Sequence, residues 1–193
     1  MKKTQLRMTG SSAHASEDRQ AEDFYATDPK AMKLLLDLET FNDRVWEPAC
    51  GLGHLSEELK KDYYDVFSSD LIDRGYGKKF DFLQSKKHFG TFNGDIITNP
   101  PYKLAQEFIE MALDLVPEGN RVAMFLRLQF LEGKARKKFF EENPPEKIYV
   151  SSSRILCAKN GDFEKYDKSS VTAYAWFIWR KGYKGDTIVK WFN

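Results

Sequence analysis

The stretch Asp95-Ile96-Ile97-Thr98-Asn99-Pro100-Pro101-Tyr102 decides how this 193-residue chain is interpreted. It begins as a short apolar run suited to a buried strand and ends in an amide, two prolines and an aromatic ring. Asn99 offers a side-chain oxygen, and Pro100 offers a backbone carbonyl with no N–H of its own beside it. Tyr102 offers a flat face on which a heterocycle can stack. The stretch therefore predicts a strand that ends in a site for a planar amine.

Strands and helices alternate along most of the chain around this stretch. We predict seven strands, over residues 45–46, 65–70, 95–98, 121–126, 147–150, 171–180 and 187–192, with residues 79–83 as a further candidate. The last two are separated by Lys181-Gly182-Tyr183-Lys184-Gly185-Asp186, which is typical of a hairpin turn. Alternation of this kind favours a Rossmann-like α/β fold, with a mostly parallel seven-stranded sheet, helices on both faces and a C-terminal antiparallel hairpin.

Three helices have recognisable boundaries. Asp28 and Pro29 are suited to the start of the first, whose buried side we predict as Met32, Leu35, Leu36 and Leu38. The helix over 104–116 has the clearest 3.6-residue apolar period, and Pro117 follows it. A third, basic helix is predicted over 133–142.

Charge and cysteine content limit the classes of protein to consider. Residues 1–120 contain 15 Lys+Arg and 21 Asp+Glu, whereas residues 121–193 contain 15 and 8, so the basic end favours an anionic partner. Two cysteines and three scattered histidines have no metal-site spacing, and we expect no metal and a reducing compartment. No apolar run reaches membrane-spanning length and the N-terminus does not resemble a signal peptide, so no membrane association is expected.

A second group of candidate residues precedes the opening stretch. Glu47-Pro48-Ala49-Cys50-Gly51-Leu52-Gly53 follows a predicted strand and precedes a helix, where glycines let a ligand approach the backbone. Asp70 ends the next strand and Asp81 follows the next candidate strand, beside Phe82. Carboxyl ends of parallel strands meet at one edge of a sheet, so we expect Gly51, Asp70, Asp81 and Asn99 to share one crevice.

These motifs together resemble the class I S-adenosylmethionine-dependent methyltransferases, and more narrowly the short N6-adenine DNA methyltransferases of phages and prophages. Asn99-Pro100-Pro101-Tyr102 matches that family's catalytic [DNS]-P-P-[YFW] motif at all four positions. Glu47–Gly53 resembles its cofactor loop, and Phe24–Pro29 its aromatic-Thr-Pro segment, although Asp28 separates Thr27 from Pro29. The resemblance covers the chain from about Asp23 onward.

The resemblance implies a role for each of these residues. Asn99 and Pro100 would accept both hydrogens of the target amine, and a flipped-out adenine would stack on Tyr102. The implied catalytic residues are Asn99, Pro100, Pro101 and Tyr102. The implied binding residues for S-adenosylmethionine are Tyr25, Thr27, Glu47, Pro48, Ala49, Gly51, Gly53, Asp70, Asp81, Phe82 and Asn99.

The expected substrate is adenine in DNA. Candidate nucleic-acid contacts are Lys134, Arg136, Arg154, Lys159 and Lys165. We expect residues 1–20 to form a flexible arm and 21–193 a single methyltransferase domain, in the cytoplasm of a bacterial or phage-infected cell. Little sequence remains for target recognition outside 151–170 and the 181–186 turn, so help from a homodimer or partner subunit stays open.

Three alternative functions stay open from the sequence. RNA adenine N6-methylation would use the same four residues, and protein-glutamine N5-methylation would place a side-chain amide in the same geometry. The third alternative is a non-catalytic nucleic-acid-binding module that retains the fold, which the intact Asn99 and Tyr102 argue against.

Overall fold

A computed structural model describes residues 25–63, 65–153, 155, 157–159 and 172–193. The expected N-terminal arm lies outside these residues. The strands within these described residues are β1 Tyr25–Thr27, β2 Arg44–Glu47, β3 Asp65–Asp70, β4 Lys78–Lys79, β5 Asp95–Thr98, β6 Arg121–Arg127, β7 Lys147–Ser151, β8 Cys157–Lys159, β9 Tyr174–Arg180 and β10 Ile188–Phe192. The α-helices in the same part of the chain are α1 Lys30–Leu36, α2 His54–Asp62, α3 Ser85–Phe89, α4 Ala105–Leu115 and α5 Lys137–Glu142.

The main sheet has the strand order β10-β7-β9-β6-β5-β2-β3-β4, and β1 and β8 form a separate two-stranded sheet. All neighbours in the main sheet are parallel except β9, which is antiparallel to both β6 and β7. The predicted α/β class with a mostly parallel sheet is confirmed. Among the described residues this sheet has eight strands instead of seven, because the short strand β4 adds to the edge formed by β3.

The arrangement of the last two strands differs from the predicted hairpin. β9 and β10 run in opposite directions, but β7 lies between them and is hydrogen-bonded to each. The residues between β9 and β10 can span one strand, since neighbouring strands are only about 4.8 Å apart. A turn sequence typical of a hairpin is therefore also compatible with a connection that passes over β7, and its glycines do not distinguish the two.

Apolar side chains alternate between the two faces of the central strands. On one face Trp46, Ile96 and Met124 pack with α4, and on the other Ile97 and Phe125 pack with α1 and α2. β5 is fully buried, as expected for a strand covered on both faces. The helices thus leave the carboxyl ends of β2, β3, β5 and β6 together at one edge of the sheet.

Three local predictions differ from the structure in part. The candidate strand at 79–83 is limited to β4, Lys78–Lys79, because Asp81 accepts a hydrogen bond from the Leu83 N–H and starts a 3₁₀ turn at Phe82–Gln84. The first helix ends at Leu36, so Leu38 follows it and is 43% exposed. Residues 133–142 are divided into a 3₁₀ turn at Lys134–Arg136 and the helix α5.

Candidate active site

A cavity of about 550 Å³ lies at the carboxyl ends of β2, β3 and β5. Pockets of a few hundred to a thousand cubic ångströms are usual for small-molecule ligands. The predicted site residues that line it are Thr27, Glu47, Pro48, Ala49, Asp70, Asp81, Phe82, Asn99, Pro100, Pro101 and Tyr102. Strand ends that are far apart in the sequence therefore bring three carboxylates and the opening motif around one cavity.

Asp70 holds two loops in place at the wall of the cavity. Its Oδ2 accepts a hydrogen bond from the Gly51 N–H at 2.9 Å, and its Oδ1 accepts one from the Ile72 N–H at 3.0 Å. A carboxylate oxygen has two lone pairs, so each oxygen retains capacity for a ligand hydroxyl. Asp70 thus joins the glycine loop to the loop that follows β3.

The two loop glycines do not line the cavity. Both have positive φ angles, 54° for Gly51 and 86° for Gly53, which is the region that favours glycine. A Cβ at Gly53 would also lie 2.5 Å from the Tyr76 ring. These glycines let the chain turn tightly into α2, and the cavity wall itself is formed by Pro48, Ala49 and Cys50.

Glu47 is a buried acid at the base of the cavity. It is 1% exposed and accepts a hydrogen bond from the Ser56 hydroxyl, which lies 2.6 Å from the Ser68 hydroxyl. Burial raises the pKa of Glu47 to about 7, and the nearby charge of Asp70 adds to this increase. A cationic ligand group in the cavity would favour the ionised carboxylate.

Replacing Glu47 with glutamine is expected to change how stability depends on pH. The pKa is raised in the folded state, so the wild type loses stability between about pH 4.5 and pH 7, whereas the variant lacks this term. The free energy of unfolding of the variant minus that of wild type should therefore be on the order of 3 kcal/mol higher at pH 8 than at pH 4. Urea unfolding at a series of pH values, without ligand, measures this difference.

The matched control is Glu57→Gln on α2, the helix whose Ser56 donates to Glu47. Hydrogen bonds from Tyr76 and Lys60 lower the pKa of Glu57, so its contribution to stability should be lost as the pH falls. The two substitutions should therefore show opposite pH trends. A Glu47→Gln difference that stays constant from pH 4 to pH 8 would contradict the assigned state of this acid.

Asp81 and Phe82 form another part of the cavity wall. Asp81 Oδ1 accepts from the Leu83 N–H, and the carboxylate lines the cavity. The Phe82 ring is 2% exposed and packs edge-on against Trp46 with ring centroids 5.2 Å apart. The 3₁₀ turn therefore presents an acceptor beside an immobilised aromatic ring.

The small sheet formed by β1 and β8 positions the opening motif. Thr27 and Cys157 are paired in its register. Asn99 Nδ2 donates to Thr27 Oγ1 at 2.7 Å, and the Tyr102 hydroxyl lies 3.7 Å from Cys157 Sγ. The contact to Thr27 fixes the donor end of the Asn99 amide, so Oδ1 is the atom that can accept from a substrate amine.

The Tyr102 ring also has two neighbours that the sequence did not indicate. The Arg127 guanidinium carbon lies 4.4 Å from the ring centroid, within cation–π distance. The Tyr174 ring lies at 6.1 Å with an interplanar angle of 36°. Burial, with the neighbouring Cys157 and Tyr174, raises the pKa of Tyr102 well above its ordinary value, so this phenol stays neutral.

The structure places the candidate nucleic-acid residues in different parts of the molecule. Lys134 is exposed, and Arg136 borders a second cavity close to Tyr102. Lys159 is paired through its backbone with Tyr25, a predicted cofactor-binding residue, in the small sheet. Arg154 and Lys165 lie outside the described residues. The structure therefore brings Arg136 towards the motif and leaves the roles of the other basic residues as predictions.

Several cavity residues were missed by the sequence interpretation. Leu71, Ile72 and Arg74 follow Asp70 in the loop after β3, and Lys103 and Phe108 follow the opening motif. His54 begins α2 and lines the cavity, and burial lowers its pKa. Their proximity in sequence to Asp70, Tyr102 and Gly53 was the available signal.

Two properties of the described residues concern metal binding and the membrane. Within them, no group of three or more His, Cys, Asp or Glu side chains is arranged to hold a metal ion. None of the helices in the described part of the chain is both long enough and apolar enough to cross a bilayer.

Comparison with known proteins gives a structural likeness at low sequence identity. No protein-family model matches the sequence, and no curated protein matches it. A protein provisionally named as the modification subunit of a type I restriction enzyme from Vibrio vulnificus is 14% identical, with a TM-score of 0.63. The match covers 92% of this chain and 48% of that one, so the chain spans about half the length of this relative.

Two other solved structures share the architecture. A protein provisionally named as a class I S-adenosylmethionine-dependent methyltransferase from Listeria monocytogenes is 15% identical, with a TM-score of 0.59, over 92% of this chain and 68% of that one. One provisionally named as an RNA methyltransferase from Pyrococcus horikoshii is 16% identical, with a TM-score of 0.51, over 79% of each chain. The chain therefore has the fold of the class I S-adenosylmethionine-dependent methyltransferases.

Proposed function

We propose that this protein transfers a methyl group from S-adenosylmethionine to the N6 amine of adenine in DNA. The observation that carries the proposal is the position of Asn99 and Pro100 in the wall of the cavity, with the Asn99 amide held by Thr27. Two acceptors at the end of a buried strand suit an amine with two hydrogens.

The donor set of the cavity fits the proposed cofactor. Glu47 is a buried acid for an ammonium group, Asp70 an acceptor for ribose hydroxyls, and Asp81 an acceptor for an exocyclic amine beside Phe82. The volume of about 550 Å³ is also suitable for a ligand of this size. When bound, the cofactor supplies an electrophilic methyl group on a sulfonium.

The residues of the motif would then act by orientation and electrostatics. Asn99 Oδ1 and the Pro100 carbonyl would accept the two amine hydrogens and direct the nitrogen lone pair away from the ring. Tyr102 would hold the plane of the base, which must leave the duplex stack to reach the cavity. Placing two reacting groups in this way accounts for large rate effects without a covalent intermediate.

DNA is preferred over RNA as the proposed polymer. The likeness to a named restriction-modification subunit and the basic charge of residues 121–193 support DNA. The likeness to a named RNA methyltransferase keeps RNA as the second candidate. Both polymers place the same adenine amine in the same cavity, so only a direct comparison of substrates separates them.

The test is methyl transfer by the purified protein from isotopically labelled S-adenosylmethionine. The substrates are unmethylated duplex DNA, ribosomal and transfer RNA, and a glutamine-containing protein mixture, each at matched concentration. Label in N6-methyladenine from DNA is the expected result. Cofactor binding with label in RNA or protein alone would assign another substrate, and absence of cofactor binding would support a non-catalytic module.

A further inference from the structure

A second cavity, of about 380 Å³, shares Tyr102 with the first. It lies near the carboxyl end of β6, which is parallel to β5 and so ends at the same edge of the sheet. Its lining residues are Tyr102, Ala105, Leu126, Arg127, Gln129, Phe130, Glu132, Gly133 and Arg136. Among them, only Tyr102 belongs to the residues predicted for catalysis or cofactor binding, and Arg136 is a predicted nucleic-acid contact.

Both arginines of this second cavity are half-buried and lie over aromatic rings. Arg136 is 4.9 Å from the Phe130 centroid, and its Nε donates to the Phe130 carbonyl at 2.8 Å. It also donates to the Glu132 carbonyl, so it ties the loop together. Arg127 instead has its guanidinium 4.4 Å from the centroid of the motif residue Tyr102. Arg136 thus holds its own loop together, whereas Arg127 contacts a residue of the opening motif.

The position of Arg127 conflicts with stacking of a base on the same face of Tyr102. A base stacks at about the distance that the guanidinium now occupies, so the two cannot share that face. An arginine side chain is long, and its planar group pairs well with phosphate. A nucleotide that enters the second cavity brings both an aromatic plane for Tyr102 and a phosphate for Arg127.

We propose that the methyl-accepting nucleotide enters across the second cavity, with its amine at Asn99 and Pro100 in the first, and that its base replaces the Arg127 guanidinium on Tyr102 while Arg127 pairs with a phosphate of the same strand. The proposal rests on the proposed function and adds a positioning residue to it. Glu132 is the one acid among the lining residues, and its side chain is exposed. Arg127 therefore covers Tyr102 without substrate and contributes to substrate affinity once the polymer is bound.

The experiment compares Arg127→Met and Arg127→Lys with the control Arg44→Met. Arg44 also lies over a ring, at 5.4 Å from the Phe92 centroid, but stands at the opposite end of the sheet. The first readout is the slope of log Kd against log salt concentration for unmethylated duplex DNA. Arg127→Met should lower the magnitude of this slope by about 0.9, the value for one phosphate contact, while Arg127→Lys and Arg44→Met should keep it.

The second readout is adenosine binding with the first cavity saturated by S-adenosylhomocysteine. Adenosine has no phosphate, so Arg127→Met should bind it roughly threefold to tenfold more tightly, because no cation competes for the ring. The KM for DNA should rise in the same variant, with kcat changed much less. A residue with only a structural role would weaken both ligands together.

An unchanged salt slope in Arg127→Met, or adenosine binding no tighter than in wild type, would overturn the role of Arg127. The proposed function is judged separately from the wild-type protein. If wild type methylates DNA and Arg127→Met behaves like Arg44→Met, only this inference fails. If wild type methylates no polynucleotide, both fail together. Should Arg127→Met not fold, Arg127→Lys decides the question in the same titration: it should bind adenosine more tightly than wild type, and equal or weaker binding would overturn the role of Arg127.

Discussion

Replacing Asn99 with alanine is expected to lower kcat for methyl transfer by about 10²- to 10³-fold and to leave the Kd for S-adenosylmethionine within a few-fold of wild type. The substitution removes an acceptor for the target amine but no carboxylate from the cavity. Its effect should therefore appear in the transition state more than in cofactor binding. Single-turnover methyl transfer and calorimetric titration of the cofactor measure the two quantities.

Thr27→Val is the companion to this substitution. It keeps the shape of Thr27 but removes the oxygen that accepts from Asn99 Nδ2 at 2.7 Å. We expect a smaller loss in kcat, about 10-fold, because the amide remains but its orientation is no longer fixed. Equal losses of turnover and cofactor affinity in Asn99→Ala would show that this amide belongs to the cofactor part of the cavity.

Replacing Asp70 with alanine is expected to have the opposite effect, raising the Kd for the cofactor by about 100-fold. The change removes the acceptor for the Gly51 and Ile72 N–H groups, so both loops lose their common contact. It also removes the proposed acceptor for ribose hydroxyls. Hydrogen bonds to a charged group contribute about 1.5–3 kcal/mol each, and a 100-fold change corresponds to about 2.7 kcal/mol.

Asp73→Ala provides the matched control for Asp70→Ala. Asp73 lies in the same loop and accepts from the Gly75 N–H at 3.0 Å, but it does not line the cavity. Its loss should change cofactor affinity less than threefold. At saturating cofactor, Asp70→Ala should recover most of its kcat. An Asp70→Ala protein with unchanged cofactor affinity would contradict the proposed place of the ribose.

The local pattern of apolar and polar residues predicted the strands and helices that have a single clear signal, such as an apolar run or a 3.6-residue period. The strands at 65–70 and 95–98 were predicted at the bounds they have, because apolar runs between polar ends leave few alternatives. The helix predicted over 104–116 is Ala105–Leu115, with its apolar period facing the core. The prediction failed at 79–83, where burial of Phe82 was compatible with either a strand or a turn.

The local sequence pattern did not show which strands pair with each other. The sequence 181–186 suits a hairpin turn, yet the partner of β10 is β7, since an open sheet edge accepts any strand that can reach it. Exposure of Leu38 likewise follows from where α1 ends, and a periodic apolar position does not reveal that boundary.

The sequence alone determined the class of fold and most of the cavity composition, because strand ends in a parallel sheet converge whatever the side chains between them. Only the tertiary structure decided how the motif is held. Thr27 is 72 residues from Asn99, and Cys157 is 55 residues from Tyr102, yet pairing of β1 with β8 brings Thr27 and Cys157 together beside the motif. Such contacts depend on chain closure over long separations, which local propensity does not encode.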